Sequence, residues 1–187
     1  EALADLKHLE GTSHEALSAL GRARLGLRAR SLKEAWAALL EGCQKYRDDP
    51  VIVEIWTVVL NTIDRVERES PQNAKTLYLQ LLGMPWLAAE ESTQVAAELM
   101  RLAASLGGPV KVREEALAML ERHPSNVGVR IECHAALARA GMSPDVLKAA
   151  RATLQKTLSL GDKVPRRDRS RVLLWLIETH LAEGDIA

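Results

Sequence analysis

Prolines at Pro50, Pro85, Pro124 and Pro165 divide the chain at intervals of 35, 39 and 41 residues. Nothing else in the sequence constrains the fold as strongly. A self-similar period on this scale is the mark of stacked supersecondary units, each too small to bury its own apolar face. Between these prolines lie further turn signals: Gly11-Thr12-Ser13, Arg30-Ser31, Ser70-Pro71, Gly107-Gly108 and Gly141-Met142-Ser143-Pro144. Signals therefore recur about every 15–20 residues, the scale of single helices rather than strands.

The segments between signals carry apolar residues at three- and four-residue steps, as in Leu32, Ala35, Trp36, Leu39, Leu40 and Cys43. Val112, Ala116, Leu117 and Leu120 repeat the pattern. Ten helices are predicted, over residues 1–10, 12–29, 32–47, 51–69, 71–83, 88–106, 109–123, 126–140, 144–160 and 167–183. Short connections make neighbours antiparallel. Ser31-Leu32-Lys33-Glu34 is expected to form a capping box. Ser70-Pro71 and Ser143-Pro144 place proline at the first helical position. The fold class predicted is all-α: a right-handed α-solenoid of antiparallel helix hairpins. The array is expected to run as one domain over 1–187 and to be a fragment of a longer protein, since the chain begins at Glu1 already in helical pattern.

Composition agrees with close helix packing. Apolar residues make up 47%, Phe is absent, and Ala and Leu dominate. Lys+Arg and Asp+Glu balance at 25 each, without the basic surplus of a dedicated duplex-DNA binder. Cys43 and Cys133 have neither disulfide-framework nor zinc spacing, and point to a reducing, cytoplasmic setting. No apolar run is long enough to span a bilayer, so no membrane insertion is expected.

Several residues resemble the tetratricopeptide family. Leu20-Gly21 stands where that family has its Leu-Gly, and Glu34-Ala35, Leu39 and Asp49-Pro50 follow its second helix. Trp56 falls at its first bulky position; Ala74 and Tyr78, then Glu115-Ala116, Leu120 and Pro124, fit later repeats. Leu60, Met100, His134 and Ile177 depart from it, standing where the family prefers a small residue.

The resemblance implies a concave face lined by the first helix of each pair, where a protein or peptide partner would sit. Register from Trp56 then places Asn61 and Arg65 on that face. Counting back from Gly107 gives Ala97, Glu98 and Arg101, and counting back from Gly184 gives Arg171, Trp175 and Glu178. Family members that grip a terminal carboxylate use a fuller Lys/Asn/Arg set than Asn61 and Arg101 supply, so no such clamp is expected. Other domains of the same parent chain are expected as further partners.

Two arginine groups support a second reading, nucleic-acid or acidic-partner binding. One is Arg22, Arg24, Arg28 and Arg30; the other is Lys163, Arg166, Arg167, Arg169 and Arg171. A solvated helix face accounts for both groups more simply. The five histidines include no i, i+4 pair, and the sequence has no Gly-rich phosphate loop, nucleophile elbow or H-E-x-x-H. No metal, cofactor or enzyme activity is therefore expected.

Overall fold

The computed structural model describes residues 15–140, 144–160 and 166–182, less the side chains of 144–146, 149, 166–168, 171, 178, 181 and 182. Among the described residues there are eight helices and no strand. They are α1 (Glu15–Arg28), α2 (Leu32–Lys45), α3 (Ile52–Glu69), α4 (Pro71–Leu82), α5 (Ala89–Arg122), α6 (Val127–Arg139), α7 (Pro144–Ser159) and α8 (Arg166–Ala182). The helix expected over 1–10 lies outside the described residues. The helices expected over 88–106 and 109–123 are joined as α5, which bends at Gly107-Gly108. Gly108 has φ 60° and ψ −151°, a region open essentially to glycine alone, and Pro109 starts the second arm. The chain thus bends without a loop, and this fusion, with the 1–10 segment outside the described residues, gives eight elements where ten were expected.

Contacts divide the chain into two compact units, residues 1–70 and 71–187. In the first, α1 packs on α2 and α2 on α3. Their buried residues keep helical spacing: Ala16, Ala19, Leu20 and Ala23; Ala35, Trp36, Leu39 and Cys43; Ile55, Val59, Ile63 and Val66. Gly26 lets α1 and α2 approach closely, since a Cβ there would stand 2.9 Å from the Ala35 amide nitrogen.

The turn between α1 and α2 departs from expectation. Arg30 adopts φ 57°, its N–H donates to Leu27 O at 3.3 Å, and the Ser31 N–H donates to Gly26 O at 2.9 Å. This paired closure satisfies the last carbonyls of α1. It also undoes the capping box expected at Ser31. The Ser31 amide that Glu34 would have bonded is already committed to Gly26. Ser31 has φ −96° and ψ 79°, short of the extended geometry of an N-cap, and its hydroxyl makes no cap bond.

In the second unit α4 packs on α5, α5 on α6, and α6 on both α7 and α8. Tyr78, Leu81, Leu99, Leu102, Met119, Ile131, Leu137 and Leu154 are fully buried. Pro71 and Pro144 open α4 and α7, as the Ser-Pro pairs predict. Lys75 of α4 is ion-paired with the buried Glu115 of α5, and Lys111 approaches the same carboxylate at 3.7 Å.

Asn126 starts α6. Its Oδ1 accepts from the Val129 N–H at 3.1 Å, and its Nδ2 donates to the buried Ser92 hydroxyl of α5 at 3.1 Å. One residue thus caps α6 and ties it to α5. Gly128 sits at the crossing itself, where a Cβ would stand 2.7 Å from Ala89 O and 2.8 Å from the Thr93 nitrogen.

Candidate partner-binding groove

The second unit holds a cavity of about 480 Å³. The first arm of α5 supplies Ala97, Met100, Arg101 and Ala104, which lie at i, i+3, i+4 and i+7 on one face. The bend adds Gly108, Pro109 and Val112. Glu132, Ala136 and Arg139 come from α6, Ala140 from the cap that ends it, and Trp175 from α8. The small side chains leave the space that bulkier residues would fill.

Trp175 is only 9% exposed; it joins the core cluster of Ile131, Ala135, Leu154 and Val172. Its indole N–H has no hydrogen-bond partner among the described residues. The Arg139 guanidinium lies 4.4 Å from the centroid of its ring. Arg139 ends α6, where a cation complements the helix dipole, and its Nε reaches Ala135 O at 3.4 Å. Arg101 Nε donates to Glu98 Oε2 at 2.7 Å, and both side chains are well exposed.

Glu132 is 1% exposed in the cavity wall. Its neighbour Cys133 has a thiol pushed up to about 12, first by burial and then by the Glu132 charge. His134 is pushed down to about 4, first by burial and then by Arg130. Neither is poised as a nucleophile or base at neutral pH.

Of the residues predicted from sequence, the cavity brings together Arg101 and Trp175, with Glu98 bonded to Arg101. In the first unit Arg65 lines a separate hollow of about 360 Å³ with Leu27, Arg30, Leu32, Thr62, Val66 and Glu69. Arg65 Nε lies 3.8 Å from Glu69. Asn61 is exposed on α3 beside it and is not among the hollow's lining residues. Arg171 and Glu178 lie on α8 with side chains outside the description, as do those of Arg166 and Arg167. Lys163 lies outside the described residues, and Arg169 is half-buried.

The first arginine group is partly committed within the fold. Arg22 lies 3.6 Å from Glu41 and Arg24 3.9 Å from Glu54. Arg139 and Glu132 are not among the site residues expected from the sequence. The 132, 136, 139 spacing, one face of a helix, was the signal for both.

Among the described residues no group of three His, Cys, Asp or Glu is placed to hold a metal ion. No described helix is long and apolar enough to cross a membrane. No family model, curated protein or solved structure matches this chain.

Proposed function

We propose that this chain is a protein-interaction module of helix hairpins, tetratricopeptide-like in organisation, that serves as a scaffold or sensor segment and holds a protein or peptide partner. The observation that carries this reading is the cavity of about 480 Å³ in the second unit, where Arg101 and Trp175 converge. Concave sites of this size with apolar walls and a few placed polar groups are the usual form of ligand pockets, and such a space can take a side chain of a peptide. The all-helical architecture supports it, as does the recurrence of hairpin-length segments in the sequence. Two buried free cysteines favour a reducing compartment. Nucleic-acid binding is the weaker reading, because Lys+Arg and Asp+Glu balance at 25 each and leave no basic surplus to displace counterions.

A photo-cross-linking side chain at Ala104, which is exposed and lines the cavity, tests the proposal. In cells it is expected to trap a discrete polypeptide that the same group at exposed Glu121, outside the cavity lining, does not. Equal labelling from both positions, or none from Ala104, overturns it.

A further inference from the structure

The groups around this cavity differ in their access to solvent, and that difference selects a ligand chemistry. Both guanidiniums, Arg101 and Arg139, are on exposed residues at its edge. The one carboxylate in the lining, Glu132, is buried. A partner arriving from water therefore meets two cations, with the Glu98 carboxylate beside Arg101, before it reaches Glu132. Behind them the walls are apolar: Met100, Val112, Ala136 and the Trp175 ring.

Arg139 is prepared for an anion. Its guanidinium lies over the indole at 4.4 Å. The ring engages the face of the guanidinium, and with Nε given to Ala135 O the terminal Nη N–H donors remain to fork a carboxylate. The indole also restricts the side chain, so less freedom is lost on binding. Arg101 is bonded to Glu98, but that pair is an exposed i, i+3 contact, with side chains 52% and 38% exposed. Such pairs contribute little and exchange readily for a better-placed carboxylate.

Resting on the reading of this groove as a partner site, we propose that it takes an acidic, apolar peptide segment. An aliphatic or aromatic side chain enters between Met100, Val112 and Ala136. The side-chain carboxylate of a nearby Asp or Glu is held at the edge by Arg139 and Arg101. A basic segment is disfavoured, because its charge would face the two guanidiniums before reaching Glu132. A phosphate backbone would satisfy the edge but leave the apolar interior unfilled.

The test is selection of a random peptide display library on the full chain. The expected result is enrichment of sequences that place Leu, Met or Phe within three positions of Asp or Glu. A synthetic peptide of the leading sequence should lose about tenfold in affinity when its carboxylate is changed to the amide, and about tenfold with either Arg139→Gln or Arg101→Gln. Both substitutions are on exposed residues, and either one suffices if the other perturbs folding. Enrichment of neutral or basic sequences overturns the acidic chemistry while leaving the groove as a peptide site. No enrichment of any sequence overturns both. Displacement of the selected peptide by short single-stranded oligothymidylate, with no cost from the amide substitution, overturns the proposal in favour of nucleic acid.

Discussion

The guanidinium of Arg139 rests 4.4 Å from the centre of the Trp175 ring and joins the end of α6 to the middle of α8. The two residues contribute unequally to stability. Trp175 is 9% exposed and packs into the core, so Trp175→Ala should destabilise the second unit by about 3–5 kcal/mol. Arg139→Ala loses a cation–π contact at an exposed site and should cost about 0.5–1 kcal/mol. Urea unfolding of both variants checks the ordering. Equal costs would show that the tryptophan is not held by the core.

The start of α6 depends on Asn126, whose side chain makes both a cap bond and a bond to Ser92. Asn126→Ala should cost about 1–2 kcal/mol, at the upper end of cap effects because the Ser92 hydroxyl is left buried without that donor. Helix α5 offers the converse. Glu91 accepts from the Ala88 N–H at 2.9 Å, but Ala88 has no side chain to cap in return. Ala88→Ser completes the box and should stabilise the protein by about 1 kcal/mol. Thermal unfolding of the two variants should therefore shift in opposite directions.

Arg30 holds φ 57° at the end of α1. A left-handed conformation costs a side-chain-bearing residue about 1 kcal/mol or more, and glycine escapes it. Glycine's greater freedom in the unfolded chain returns part of that gain. Arg30→Gly should raise stability by about 0.5–1 kcal/mol in urea unfolding, whereas Arg30→Val should lower it.

The crossing of α5 and α6 has no room for a methyl group at Gly128, where the nearest atoms include the backbone of Ala89 and Thr93. Backbone cannot swing aside as a flexible side chain can. Gly128→Ala should therefore destabilise by about 1–3 kcal/mol despite alanine's better helix propensity. An increase in midpoint temperature would show that the helices separate freely.

His134 remains neutral in the fold because burial, and then Arg130, push it down to about 4 from an ordinary 6.5. The unfolded chain binds a proton below about pH 6.5 and the folded chain resists it, so stability falls as pH drops from about 6.5 towards 4. Above that window the group contributes no pH dependence. His134 keeps some contact with water, so the loss is roughly 1–3 kcal/mol rather than the full shift. Unfolding at about pH 7 and pH 4.5 should show a smaller difference in His134→Gln than in the native chain.

Helix positions were legible in the sequence because their signals are local. Proline at Pro71 and Pro144, the turn residues and the three- and four-residue apolar spacing each act within one turn of backbone. Counting back from Gly107 reached Ala97, Glu98 and Arg101, since one face of one helix is set by its period. The tertiary structure decided the rest. The loop-free bend at Gly108 fused two expected helices, and the closure at Arg30 removed a cap that Ser31 and Glu34 spell out. Asn61, set in an apolar run, proved exposed, while Trp175 proved buried. Arg101, Arg139 and Trp175 meet from three helices, and their meeting depends on how closely those helices pack. That approach is governed by contacts distant in sequence, such as Gly128 against Ala89, which no local pattern records.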